Sequence, residues 1–283
     1  MVIQFIIDSA ADVSVEEAKA WGVTRVALTV RFEDEEYLDG VNLLPDEFYQ
    51  KLAASKKLPV TSQAAPAVFE SFLRPIVEKG DTAIVLAVSS GLSGTCQSAR
   101  LAADAVGGDV YVIDTENVCI GQRILLLRAL DLRDEGKTAE EIVAALEQEK
   151  KRVHVLALLD TLEYLRKGGR LSGAAAMVGT LLSIKPVVGV EDGLVVSIGK
   201  ARGPRNGNNL LRELVAKCGG IDFDRPFTLG YSGNDDSLLK RYIEESTALY
   251  EGHADHLPVT RVGSVIGTHV GPGAIAVSFF SKQ

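Results

Sequence analysis

The chain has 283 residues, 46% of them hydrophobic and 24% charged, which is enough for two domains of ordinary size. Its formal net charge of −8 excludes the broad basic face of a nucleic-acid binder, so no nucleic-acid partner is expected. Cys96, Cys119 and Cys218 are odd in number, far apart and without a C-x-x-C pair, which argues against a disulfide framework or structural zinc and fits a reducing cytoplasm.

Met1–Ile7 runs into Asp8 without a basic segment or cleavage site, and the uncharged stretches Leu171–Ile184 and Val262–Ser281 do not read as membrane spans. A cytoplasmic protein without stable membrane insertion is the expectation. In the first half strand and helix signals alternate. Val2–Ile7 is a strand ending at Asp8-Ser9, and Ser14 with Glu17 forms a capping-box pattern that opens a helix to Trp21. Thr24–Phe32 reads as one strand, followed by a polar stretch around Asp39-Gly40 and a helix that begins at Pro45. Val60-Thr61-Ser62-Gln63 reads as an exposed turn before a helix over residues 66–79. Thr82–Val88 is a buried strand, and Gln97–Val106 a helix. Val110–Ile113 is a further strand ending at Asp114-Thr115, and helices cover residues 121–134 and 138–152. This alternation predicts a parallel sheet with both faces covered, Rossmann-like, with ligands beyond the carboxyl ends of its strands.

The second half reads as α+β, with the boundary placed so that the domains are 1–152 and 153–283. Val153–Leu159 is a strand, Ala174–Leu182 a smooth helix, and Glu191-Asp192-Gly193 the turn of a hairpin between residues 186–190 and 194–198. A helix near residues 209–217, a strand at 227–231, a helix near 237–250 and two strands around Gly271 follow.

The stretch that organises the chain is Ser89-Ser-Gly-Leu-Ser-Gly-Thr95, a strand-to-helix turn rich in hydroxyls and backbone N–H groups, suited to a phosphate or carboxylate. Asp8-Ser9, Thr61-Ser62 and Asp114-Thr115 fall at comparable strand ends and are expected to converge with it on one polar site. Ser93, Asp114 and His269 occur in the order of a hydrolase triad, and Gly91–Thr95 matches a nucleophile elbow except at its last residue. A lipid-ester hydrolase using Ser93 and His269 is therefore the alternative to simple ligand binding, and a purely structural turn is a third reading. His269 lies in a glycine-rich loop, either as a core histidine or as a donor to an anion. Arg166, Lys167 and Arg170 bracket Gly168-Gly169, and with Arg202 and Arg205 they suggest a basic docking surface or a solvated face. No nucleotide-phosphate motif or metal-ligand pattern is present in the sequence, and no cofactor is expected.

Thr61-Ser-Gln63, Ser89–Ala99, Leu165–Ser172, Ile184-Lys-Pro186 and Gly267–Ala274, in this order across the chain, resemble the DegV family of bacterial fatty-acid-binding proteins. The resemblance implies one long-chain fatty acid held between the two domains, in a non-enzymatic subunit that presents it to a separate fatty acid kinase subunit. That partner supplies ATP and forms an acyl phosphate for phospholipid synthesis. Position by position, the resemblance implies that Thr61, Ser62, Ser93, Gly94 and His269 hold the carboxylate. It implies that Arg170 stands at the mouth, where Arg166, Lys167 and Arg202 would join it in docking. The sequence departs from the family pattern at Ala64, usually proline, at Arg123, usually small and expected beside the tail pocket, and over Gly203–Asn209. A tunnel for the tail, at about 0.8 kcal/mol per buried methylene, is expected from the apolar faces of the first domain and the uncharged Leu171–Ile184.

Overall fold

The computed structural model describes residues 2–172, 184–253 and 257–282. Four parallel strands, β1 (Ile3–Asp8), β2 (Thr24–Val26), β6 (Thr82–Ala87) and β7 (Val110–Asp114), form a sheet in the order β2-β1-β6-β7. Their near-continuous apolar sequences reflect burial on both faces. Phe5, Ile7, Ile84 and Leu86 point toward α5 (Ile120–Asp134) and α6 (Ala139–Glu149). The intervening Ile6, Ala83 and Val85 join Phe69, Leu73, Ala99 and Ala102 of α3 (Pro66–Glu78) and α4 (Thr95–Val106). Helix α1 (Val15–Trp21) starts with the expected capping box between Ser14 and Glu17.

The second half builds a mixed sheet in the order β10-β9-β8-β13-β11-β12, from β8 (Val153–Leu158), β9 (Ile184–Glu191), β10 (Leu194–Arg202), β11 (Thr228–Tyr231), β12 (Val259–Arg261) and β13 (Ile275–Phe280). The hairpin expected at Asp192-Gly193 joins β9 to β10. One face packs against α8 (Pro204–Lys217) and α9 (Ser237–Glu245) through Leu156, Val277, Leu211 and Tyr242. The other turns toward the first half, where Val155 and Ala276 share a core with Ile6 and Ala10.

Four expectations change. Thr24–Phe32 is two strands: after β2 the chain leaves the parallel sheet, and β3 (Thr29–Phe32) joins β4 (Glu35–Leu38) and β5 (Val60–Ser62) in a separate antiparallel sheet, order β4-β3-β5. Hence Val60-Thr61-Ser62 is a strand rather than an exposed turn, and the polar stretch before Asp39 contains β4. The segment before Gly271 is a short helix, α10 (Ser264–Val270), not a strand, so His269 sits in its last turn rather than in a loop. Its glycines and β-branched residues mislead because α10 is buried along most of its length, and tertiary packing overrides local propensity. The helix expected over Ala174–Leu182 lies outside the described residues.

Candidate functional site

A cavity of about 360 Å³ opens between the carboxyl ends of the parallel sheet and the inner face of the mixed sheet. Its polar end is built from both halves of the chain: Thr61, Ser62, Ser93 and Gly94 from the first, Arg170 and His269 from the second.

Thr61 reaches this end because strand alternation sends its side chain to the same face as its register partner, the buried Val30, while Val60 and Ser62 are more exposed. Its Oγ1 lies 2.9 Å from His269 Nε2. Gln63 then donates through Nε2 to Ser98 Oγ of α4 at 2.8 Å, tying the Thr61 strand to the helix that follows the serine loop. Gly94 lets Gln63 pass, since a Cβ there would collide with the Gln63 amide. Ser93 Oγ accepts the Thr95 N–H at 3.2 Å and lies 2.8 Å from Thr95 Oγ1.

Helix α10 presents His269 from the opposite side. Burial, reinforced by the Arg170 charge, lowers the imidazole to about 4, so it is neutral at physiological pH. Its Nδ1 is buried beneath the backbone of Gly168, where a Cβ would strike the ring. Arg170 donates Nη1 to the Gly168 carbonyl at 2.7 Å and Nε to the Leu92 carbonyl at 3.2 Å. One guanidinium thus stitches the glycine segment over His269 to the serine loop.

The hydrolase arrangement does not assemble. His269 pairs with Thr61, Ser93 with Thr95, and the Asp114 carboxylate accepts the N–H groups of Ser90 and Glu116. Asp8, Ser9, Asp114 and Thr115 are likewise absent from the cavity wall among the described residues, and they brace its loops instead. Arg166, Lys167 and Arg202 are exposed, with Lys167 paired to Glu163 at 2.5 Å and Arg202 ending β10. Arg123 stays out of the tail region: it pairs with Glu17 and stacks over Trp21. Ala64, another departure, is buried at the root of α3.

Away from the polar end the wall is apolar. Sheet register aligns Val188, Ala157, Ala276 and Gly230 in one row across β9, β8, β13 and β11, all lining the cavity. Residue size falls along this row, leaving a trough flanked by Val155 and Leu159. Sequence inspection missed this floor because its parity depends on register between distant strands. The described part of Leu171–Ile184 adds no wall residue. The arrangement suits an elongated apolar molecule with a small hydrogen-bonding head. Among the described residues, no group of three or more His, Cys, Asp or Glu is placed to hold a metal, and no helix is long and apolar enough to cross a membrane.

The chain belongs to the DegV family: the family model, described as an uncharacterised protein of the DegV family, matches residues 2–282. A DegV domain-containing protein of Deinococcus radiodurans is 36% identical over 282 residues, covering 98% of each chain. Among solved structures, a fatty-acid-binding DegV family protein from Thermus thermophilus superposes with a TM-score of 0.89 at 32% identity, covering 100% of both chains. DegV of Bacillus subtilis, a fatty acid binding protein, gives 0.86 at 30% identity with the same coverage.

Proposed function

We propose that this chain binds one long-chain fatty acid in the cavity and presents it to a separate kinase subunit. The carboxylate lies among Thr61, Ser62, Ser93, Gly94 and His269, and the acyl chain follows the trough toward Gly230. The observation that carries this reading is an apolar cavity closed at one end by hydroxyls and a neutral imidazole, in a fold whose relatives bind fatty acids. Burying a carboxylate without donors is costly, and hydroxyls from a strand and a loop offset that cost.

In this reading the units are 1–152 and 153–283, with the ligand between them, and the protein acts in the cytoplasm. Phosphoryl transfer belongs to the partner, which supplies ATP and converts the carboxylate to an acyl phosphate. Exposed Arg166, Lys167 and Arg202 form the docking surface, with Arg170 at its inner edge.

The test is affinity for hexadecanoic acid against its methyl ester in Thr61→Ala and Ser93→Ala variants. Each variant should lose roughly ten- to a hundredfold for the acid, the equivalent of about 1.5–3 kcal/mol for a hydrogen bond to a charged group. The ester should change far less. Equal losses for acid and ester would remove the carboxylate from this end of the cavity.

A further inference from the structure

The turn after β1 holds an unusual density of buried polar side chains for a segment whose cavity contribution is Ala10. Asp8 and Ser9 are 1% and 0% exposed, and Asp12 is 9%. Buried polar groups without partners are costly, so the destinations of their bonds identify what the turn holds.

Besides the bonds that Asp8 accepts from the Ala10 N–H and from Gln122 Nε2, both at 3.0 Å, one bond from each of Asp8, Ser9 and Asp12 lands at the root of an element that carries a head-group residue or pairs with the strand that does. Asp8 Oδ2 accepts the N–H of Val88 at 2.7 Å, the residue immediately before the Ser89–Thr95 loop. Ser9 Oγ accepts the N–H of Leu28 at 3.0 Å, immediately before β3, whose Val30 is the register partner of Thr61. Asp12 Oδ1 accepts the N–H of Gly263 at 2.8 Å, the N-cap of α10. Asp39, fixed by the Arg25 side chain at 3.6 Å, accepts the next N–H, that of Ser264, at 3.0 Å. Because α10 is only 7 residues long, fixing its first residues fixes His269 in its last turn. The same turn holds the cavity wall: Cys119 donates its N–H to Ala10 O and its thiol to Asp12 Oδ2, both at 2.9 Å.

We propose that the Asp8–Asp12 turn is the positioning hub of the head-group site, setting the serine loop, the Thr61 strand and the His269 helix in register with one another. It rests on the reading that those elements hold a carboxylate. Donors converging on one charged head must be placed to about 0.5 Å. They come from three segments distant in sequence, and one turn that touches the roots of the serine loop, of α10 and of β3, the pairing partner of the Thr61 strand, supplies the common reference. Asp8, Ser9 and Asp12 act through Ser93, Thr61 and His269 and do not touch the ligand themselves.

The test uses Ser9→Ala, Asp12→Asn and Asp8→Asn in the full chain, with hexadecanoic acid and its methyl ester as probes. Acid affinity should fall roughly five- to thirtyfold, as expected for disturbing one to two hydrogen bonds' worth of placement. Retained ester binding reports an intact fold and tail cavity. Ser9→Ala should add little in a Thr61→Ala background, since the residue it positions is already gone. Equal losses for acid and ester, or a Ser9→Ala loss that persists undiminished in that background, would overturn the hub and leave a turn that only stabilises the fold. If Asp8→Asn does not fold, Ser9→Ala and Asp12→Asn decide the matter. Should Thr61→Ala and Ser93→Ala leave acid binding unchanged, the carboxylate reading falls. Should those two weaken binding while the hub variants do not, the hub alone falls.

Discussion

Gly230→Val tests where the acyl chain ends. Gly230 sits in the middle of β11, paired with Ala276 on one side and Thr260 on the other, at the low end of the Val188–Ala157–Ala276–Gly230 row. A Cβ at this position would come to 3.4 Å from the Ile120 side chain, ordinary contact that the sheet accommodates, and valine suits a central strand. The two methyl groups beyond that Cβ would occupy the end of the trough. An acid that fills the wild-type cavity then keeps about two methylenes out of the apolar wall, a loss of about 1.6 kcal/mol or roughly fifteenfold in affinity. Acids shorter by two or three carbons should bind the variant and the wild type alike. The assay is a chain-length ladder of saturated acids titrated against both proteins, with thermal unfolding run in parallel. A uniform loss at every chain length would mean that the tail does not reach Gly230, and the trough would lose its meaning as a track.

Charge reversal would separate the proposed docking surface from the proposed clamp. Lys167→Glu, on an exposed side chain, should leave fatty acid affinity unchanged and slow phosphoryl transfer by the kinase subunit. Arg170→Glu should impair both, because it releases the Leu92 carbonyl and brings a carboxylate beside the head group; ligand binding and transfer measured side by side distinguish the two positions. Burial raises Asp12 to about 7 and Asp8 to about 6 from ordinary aspartate values, so the folded chain holds protons that the unfolded chain has released. Their contribution to stability is therefore present below about pH 4 and is lost as pH rises through 6 and 7. Denaturant unfolding of wild type and Asp12→Asn across this range should show a downward slope that the variant flattens, and parallel curves would refute the assignment.

The pieces of the site were legible in the sequence and their assembly was less so. Ser89–Thr95 declares itself because hydroxyls and glycines between a buried strand and a helix have few other uses. The capping box at Ser14 and the hairpin at Asp192-Gly193 are local signals, settled within a few residues. Thr61 was picked out as polar, but its short strand escaped notice because β5 is held by pairing with β3, some 30 residues earlier. His269 was placed in a loop because Gly267 and Gly271 outweigh helix formers locally; what keeps α10 helical is its burial and the Asp12 and Asp39 carboxylates at its start. Asp8 and Ser9 read from the sequence as part of one polar site, and only the destinations of their bonds reveal that they brace it from behind.

If the carboxylate binds as proposed, the division of the polar end between the two halves of the chain gives the ligand a mechanical role. Thr61 and Ser93 belong to one half, His269 and Arg170 to the other, and a carboxylate bonded to both sides is a non-covalent cross-link. By mass action, ligand at a hundred times its dissociation constant adds about 2.7 kcal/mol to the stability of the folded form. Under the proposed function occupancy and rigidity are then one variable, and the proposed partner docking beside Arg170 would meet a stiffer molecule when there is lipid inside.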